Sequence, residues 1–262
     1  MARVAISIEG VSKSFDGGRV HVVRHLSLRI EEGEFIVLVG GSGSGKTTTL
    51  KMINRLIAQD AGEISVLGQR TDAQAEHELR RTIGYVFQGV GLFPHMTVAE
   101  NVAVTPKLLG WSKAEIDSRV VELLELVELP AAQFGERAPH MLSGGQRQRV
   151  GFARALAARA PVILMDEPFG ALDPITRSTL AENYRRLHNS MGLTTVMVTH
   201  DLMEAVLLAD RIGIMREGQL VALGEPKTLL KAGHPAVREL FEAPCRQADE
   251  FRARLEGAGV DG

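Results

Sequence analysis

Three short, largely apolar runs mark the chain at residues 35–39, 162–165 and 195–198. Runs of this kind, without polar alternation, are typical of strands buried on both faces of a parallel sheet. Between them, apolar residues recur at helical spacing. The recurring positions are Leu50, Ile53 and Ile57 after the first run, and Leu180, Tyr184 and Leu187 before the third. Alternating strands and helices predict an α/β fold with a parallel sheet.

Other regions depart from this alternation. Residues 4–30 alternate apolar and polar positions around an Asp-Gly-Gly turn at 16–18, as antiparallel strands do. Residues 97–160 carry apolar positions such as Ile116 and Val120 at helical spacing, without a strand pattern. A further hairpin is predicted at 211–223. We therefore expect one domain with a parallel-sheet core, an N-terminal antiparallel β subdomain and a helical subdomain.

The amino-acid composition excludes several classes of protein. The 262 residues are 45% hydrophobic and 24% charged, which is ordinary for a globular protein. The net charge of −2 predicts no nucleic-acid partner. No apolar run approaches the ~18 residues that span a bilayer. The single cysteine, Cys245, excludes an intrachain disulfide, so we expect a protein of the reducing cytosol.

The strongest chemical signal is the segment 40–47, GGSGSGKT, which fits the P-loop pattern G-x-x-x-x-G-K-[ST]. It follows one apolar run and precedes a helical pattern, the context that a phosphate-binding loop requires. Glycines let backbone N–H groups face phosphate, the lysine reaches the β- and γ-phosphate oxygens, and the last hydroxyl meets Mg²⁺. The predicted nucleotide-binding residues are Gly40, Ser42, Gly43, Gly45, Lys46, Thr47 and Thr48, with Thr47 also a Mg²⁺ ligand. A glycine-rich turn that matches by chance is the alternative.

Two carboxylates, Asp166 and Glu167, follow the second apolar run. Parallel sheets bind ligands at the carboxyl ends of their strands. Asp166 is therefore the candidate Mg²⁺ ligand, and Glu167 is the candidate base that orients and deprotonates an attacking water. An ordinary surface pair of acidic residues after a strand is the alternative.

A second glycine-rich segment, LSGGQ at residues 142–146, opens another helical pattern. With this segment the chain resembles the ABC ATPases, of which LSGGQ is the signature. Ser143, Gly144, Gly145 and Gln146 would form a second phosphate-binding helix N-terminus. The resemblance implies a head-to-tail dimer, in which the signature of one subunit closes on the γ-phosphate at the P-loop of the other. A flexible helix cap is the alternative.

Four further positions match the family one by one. The resemblance assigns Gln88 to a catalytic glutamine that senses Mg²⁺ and water, and His200 to a switch histidine at the γ-phosphate. Asp173 corresponds to the D-loop, a nucleotide-binding element of the family. Phe15 corresponds to the aromatic residue, usually Tyr, that stacks on adenine, and Phe keeps the π face without the hydroxyl. Purely structural roles are the alternatives for His200 and Phe15.

Within the family, residues 91–97 and 167–177 look most like ATPase subunits of bacterial importers for glycine betaine, choline and related quaternary amines. This likeness implies an ATP-hydrolysing subunit that binds ATP and Mg²⁺ and lies, as a peripheral protein, on the cytoplasmic face of the inner (plasma) membrane. A permease would dock near Gln88, Leu92, Phe93 and Pro94, and a separate solute-binding protein would act indirectly. The alternatives are the ATPase of another importer, for an amino acid or other small solute, and a soluble ABC ATPase outside transport.

The resemblance also implies domain limits. Residues 1–243 would form the ABC ATPase domain, with the helical subdomain inserted at about 92–160. Residues 244–262 would form a short C-terminal tail without the CBS domains that many relatives carry. For Phe93, packing into the protein's own core is the alternative to exposure for docking.

Overall fold

A computed structural model describes residues 3–89, 91–231, 235, 237–238 and 240. The predicted C-terminal tail at 244–262, including Cys245, lies outside these residues. The strands are β1 (Val4–Ser14), β2 (His21–Glu31), β3 (Phe35–Val39), β4 (Ala61–Val66), β5 (Gln69–Arg70), β6 (Ile83–Val86), β7 (Val162–Asp166), β8 (Thr194–Thr199), β9 (Arg211–Arg216) and β10 (Gln219–Gly224). The helices are α1 (Lys46–Ile53), α2 (Glu76–Arg81), α3 (Val98–Leu108), α4 (Lys113–Leu126), α5 (Ala131–Phe134), α6 (Gly144–Leu156), α7 (Pro174–Met191), α8 (Leu202–Leu208) and α9 (Pro226–Lys231).

The strands form two sheets. The first has the order β2-β1-β4-β5, with antiparallel neighbours throughout. The second has the order β10-β9-β3-β8-β7-β6, in which every pair is parallel except the hairpin of β9 and β10. All three apolar runs are strands of the second sheet. The predicted parallel core and N-terminal antiparallel subdomain are thus confirmed.

Strand β3 shows why its residues are apolar without alternation. Phe35, Val37 and Val39 point into a core shared with the helices α3, α4, α6, α7 and α8. Ile36 and Leu38 point into a second core, shared with α1 and the antiparallel sheet. Both faces of the strand are covered, so neither favours polar residues.

Between β6 and β7 the described residues form helices and no strand, as predicted for the helical subdomain. Capping boxes start α3 at Thr97 and α4 at Ser112. Helix α6 packs so closely on β6 that a Cβ added to Gly84 would collide with the carbonyl oxygen of Ala155. Within the part of the chain that is described, no helix has the length and apolarity needed to cross a bilayer.

One expected helical position is wrong. Helix α1 ends at Ile53, and Ile57 lies beyond it, partly buried against the core beneath the antiparallel sheet. The helix stops because Arg55 adopts a left-handed conformation, with φ of 48°.

Candidate functional site

The P-loop and the predicted catalytic and Mg²⁺-binding residues lie where four neighbouring parallel strands end. β3 leads into the P-loop and β8 is followed by His200. β7 ends at Asp166, and Gln88 follows β6 by two residues. Because parallel strands end at the same edge of a sheet, residues distant in the sequence meet there.

The P-loop backbone turns at positions where a side chain does not fit. Gly40 has φ of 154°, and a Cβ there would collide with the carbonyl oxygen of Met215. Gly45 has φ of 97° and is the N-cap of α1, which no side chain caps. The first turn of α1 therefore lacks a side-chain acceptor, as in helix starts that bind anions. Ser42 and Gly43 lie exposed in the loop.

Lys46 is buried inside this loop. Its Nζ donates to the carbonyl oxygens of Gly40, at 2.8 Å, and Gly41, at 2.9 Å. Burial lowers the pKa of Lys46, whereas the carboxylates of Glu167 and Asp166 raise it. The cation thus lies in the concave side of the loop, where a phosphate would also be bound.

Asp166 contacts the P-loop directly. The hydroxyl of Thr47 donates to Asp166 Oδ1 at 2.9 Å, and Asp166 is only 3% exposed. Burial raises the pKa of the Asp166 carboxyl, and the hydrogen bond from Thr47 lowers it. A hydroxyl and a carboxylate are the oxygen donors that Mg²⁺ prefers, so these residues fit that ion. Thr48, next in α1, is half-buried.

Glu167 gathers the other predicted catalytic side chains. Its Oε2 accepts a hydrogen bond from Gln88 Nε2 at 3.1 Å, and its Oε1 lies 3.3 Å from His200 Nδ1. Its φ of 47° is uncommon for a residue with a side chain. Such strained conformations cluster at functional sites. Gln88, Glu167 and His200 therefore form one cluster beside the Asp166 carboxylate.

In the part of the chain that the structure describes, the signature residues form hydrogen bonds with one another and not with this cluster. Ser143 Oγ accepts from the Gln146 N–H at 3.2 Å, and Gln146 Oε1 accepts from the Ser143 N–H at 2.9 Å. This capping box starts α6. Across the described residues, no hydrogen bond or ion pair joins residues 142–146 to the P-loop. Asp173 similarly caps α7, accepting from the Thr176 N–H at 3.0 Å.

Phe15 lies in the turn between β1 and β2 and is 61% exposed. The alternative of a core residue is therefore wrong. Lys13 Nζ lies 5.5 Å from the centre of its ring. The ring is positioned at the surface, and its role toward a base stays a prediction.

The segment predicted to dock a permease divides in two. Leu92 is partly buried against the core, whereas Phe93, 39% exposed, and Pro94 lie at the surface. Arg154 of α6 holds the segment, because its Nη1 donates to the carbonyl oxygen of Gly91 at 2.7 Å and its guanidinium lies 5.8 Å from the Phe93 ring centre.

Gln148 is a residue that the sequence patterns did not single out. It is 5% exposed, and its Nε2 donates to the carbonyl oxygens of Glu167, at 3.2 Å, and Pro168, at 2.5 Å. Its Oε1 accepts from the Ala171 N–H at 3.1 Å. The sequence feature that could have identified Gln148 is its position four residues before Phe152, which places a polar side chain on the buried face of α6.

Comparisons with known proteins agree with this geometry. A family model described as ABC transporter matches residues 23–170. The choline transport ATP-binding protein OpuBA of Bacillus subtilis (strain 168) is 51% identical over 226 residues, 86% of this chain and 59% of that protein. The glycine betaine uptake system ATP-binding protein YehX of Escherichia coli (strain K12) is 50% identical over 237 residues, 90% of this chain and 76% of that protein. The chain thus spans about three fifths of the length of the first relative.

A solved structure has the same fold. It is a dimeric ATP-binding cassette in a post-hydrolysis state, bound to ADP and Pi. The TM-score is 0.78 at 34% identity, over 84% of this chain and 98% of that one.

Proposed function

The chain belongs to the ABC transporter family, and we propose that it hydrolyses ATP to power an importer of glycine betaine, choline or a related quaternary amine. The observation that carries the proposal is the cluster of Gln88, Glu167 and His200 next to the bonded pair of Thr47 and Asp166. The substrate class comes from the names of the relatives, which are a choline transport protein and a glycine betaine uptake protein.

Nucleotide binding is assigned to the P-loop and to Phe15. The ring of Phe15 would stack on adenine, since one exposed aromatic face suffices for stacking. The phosphates would be held by Gly40, Ser42, Gly43, Gly45, Lys46, Thr47 and Thr48. Lys46 would exchange its bonds to loop carbonyls for bonds to phosphate oxygens. Thr47, Asp166 and Gln88 would hold Mg²⁺, which when bound offsets the charge of the β- and γ-phosphates.

Glu167 is assigned the role of general base. Its carboxylate would orient the attacking water and accept its proton. Gln88 and His200 each contact one of its two oxygens, so together they fix the plane of the carboxylate. We assign His200 a second contact, to the γ-phosphate, which its exposed ring permits.

We infer that a second copy of the chain completes the site. Two observations support a head-to-tail dimer: among the described residues no hydrogen bond joins the signature to its own P-loop, and the solved cassette with ADP and Pi is dimeric. Ser143, Gly144, Gly145 and Gln146 of one copy, with Asp173, would then face the nucleotide of the other.

The other partner we propose is a membrane permease, which would keep the chain on the cytoplasmic face of the inner membrane. It would dock near Gln88, Leu92, Phe93 and Pro94. Asn101 of α3 binds the Phe93 N–H at 2.8 Å, and α3 also lines a cavity of about 270 Å³ with α4. A solute-binding protein would act through the permease. We assign the ABC ATPase domain to residues 1–243 and its helical subdomain to about 92–160.

Glu167→Gln tests the hydrolysis. An amide keeps the size of the side chain but cannot accept the proton, so we expect turnover to fall at least about 100-fold while Mg·ATP still binds. Phosphate release measures the first and calorimetry the second. Glu182→Gln, an exposed change on α7, is the matched control. Turnover at the wild-type rate in Glu167→Gln would remove Glu167 from catalysis.

Phe93→Asp tests the docking. A charge buried at an apolar interface costs several kcal/mol unless it is paired, so association should weaken roughly 10²-fold. ATP hydrolysis by the subunit alone should persist, while co-purification with the permease and uptake of a quaternary amine are lost. Leu207→Asp places the same charge on another exposed apolar residue, and it should keep both. Intact co-purification and uptake in Phe93→Asp would contradict this docking site.

A further inference from the structure

The carboxamide of Gln148 bridges α6 to the turn that follows β7. It donates to the carbonyl oxygens of Glu167 and Pro168 and accepts from the N–H of Ala171. One buried side chain therefore bonds both ends of the turn at residues 167–171. Each of its three partners is a backbone group, so the bridge acts on the course of the chain.

The residue at the start of this turn is Glu167, whose φ of 47° is a strained conformation for a residue with a Cβ. A strained residue keeps its conformation when contacts fix the chain on both sides of it. The Glu167 N–H donates to the carbonyl oxygen of Val198 in β8 at 3.0 Å. On the other side, its carbonyl accepts from Gln148 Nε2 at 3.2 Å and from the Gly170 N–H, within the turn, at 3.4 Å. The bonds to Val198 and Gln148 tie the Glu167 backbone to β8 and to α6.

Helix α6, which carries Gln148, is itself held firmly. Gly84 allows it to approach β6 closely, and the Phe152 ring packs against the rings of Phe169, at 6.2 Å, and Tyr184, at 5.2 Å. The helix to which Gln148 ties the turn is therefore packed into the core.

We propose that Gln148 is a positioning residue for the catalytic carboxylate. Its carboxamide holds the 167–171 turn so that Glu167 is presented to Gln88, His200 and the attacking water. The inference rests on the proposed function, in which Glu167 is the base. The three groups that Gln148 bonds are all backbone groups, so its effect passes through the backbone of Glu167.

The test is a double-mutant cycle of Gln148→Met and Glu167→Gln, read by single-turnover hydrolysis of ATP. Methionine keeps the volume of Gln148 and removes its hydrogen bonds. We expect Gln148→Met alone to slow hydrolysis at least about tenfold, with the calorimetric affinity for ATP changed less than about twofold. Because both changes act on one group, the double variant should be no slower than Glu167→Gln alone.

Controls separate this role from general support of the fold. Arg149→Met removes bonds from α6 to the carbonyls of Val127 and Glu128, away from the turn, and it should lower the melting temperature without slowing hydrolysis. If Gln148→Met does not fold, Gln148→Asn enters the same cycle, because its shorter carboxamide stays polar but does not reach all three backbone groups.

Different results would overturn the proposed function and the positioning role of Gln148. Wild-type hydrolysis in Glu167→Gln overturns the proposed function. An inactive Glu167→Gln together with a fully active Gln148 variant, or with losses that multiply in the double variant, overturns the positioning role alone.

Discussion

Two helices of this protein begin at glycine-rich segments, and their first turns differ. Helix α1 follows the P-loop with Gly45 as its N-cap, in a left-handed conformation and without a side-chain cap. Helix α6 follows the signature with Ser143 as its N-cap, in a complete capping box with Gln146. Both starts leave N–H groups without intrahelical partners, but only α6 satisfies some of them with its own side chains.

The difference favours different roles for the two helix starts. The start of α1 has a buried lysine and two glycines, Gly40 and Gly45, at which a Cβ would collide with the backbone. The start of α6 is complete as a helix cap and exposed, and its Gly144 has open space where a Cβ would lie. We infer that α1 binds the nucleotide within one chain, whereas α6 contributes after another chain brings a nucleotide to it.

Replacing Gly40 or Gly144 with alanine should show the largest difference between the two glycine-rich segments. Gly40→Ala should destabilise the fold by about 3 kcal/mol or more, because its Cβ collides with Met215 at a φ of 154°. Gly144→Ala should change the stability by less than about 1 kcal/mol, since alanine favours helices. Urea unfolding followed by circular dichroism measures both. Equal losses at the two positions would show that α6 also depends on its glycine.

Substitutions that change the charge at the two helix starts should have a smaller effect, which is read here as ATP affinity. Lys46→Ala should weaken ATP binding by the isolated chain about 10- to 100-fold, because a charge-assisted hydrogen bond is lost. Ser143→Arg should leave that affinity within about twofold, since the described residues show no hydrogen bond between Ser143 and the P-loop. Calorimetry at a concentration where the chain is monomeric reads both values. Weaker binding in Ser143→Arg under those conditions would place the signature in the same chain's site.

The smallest expected effect is a loss of folding stability at acidic pH, caused by protonation of His188. Buried His188 stacks 5.1 Å from Phe35, and its pKa is lowered by burial. Arg185 lowers this pKa further, and Asp210 raises it. The unfolded chain therefore binds the proton first as the pH falls below about 6.5, and the folded state loses stability down to the lowered pKa.

The loss from this one group is at most about 1.4 kcal/mol per pH unit. His188→Phe removes the proton site and keeps a ring beside Phe35. Its urea midpoint should therefore fall less between pH 7 and pH 5 than that of the wild type. An identical fall in the two proteins would assign the acid sensitivity to other groups.

The sequence predicted those parts of the site that are contiguous. The P-loop, the signature and the Asp166-Glu167 pair are each short segments in which residue type and spacing carry the chemistry. The parallel sheet that joins them also follows from apolar runs alternating with helices, with its ligand-binding edge at the carboxyl ends of the strands, but the strand order does not. Helix ends were less predictable, since the apolar spacing continues to Ile57 although the backbone turns at Arg55.

Contacts that depend on packing were not predictable. Gln148 meets the 167–171 turn only because Gly84 lets α6 approach the sheet. Arg149 and Arg154 of the same helix likewise donate to backbone carbonyls that are distant in the sequence, those of Val127 and Gly91. Spacing on a helix shows which residues share a face, but it does not show which distant carbonyl lies opposite.

We infer that the P-loop of one chain and the signature of another form one ATP site. Mixing two variants, Lys46→Ala and Ser143→Arg, tests this, and each is expected to be nearly inactive alone. In a head-to-tail dimer, a mixed pair has one site with both changes and one site with neither. Random pairing then leaves about a quarter of all sites intact, and ATP turnover should rise toward about that fraction of the wild-type rate. A mixture that stays as inactive as its two parents would contradict the shared site.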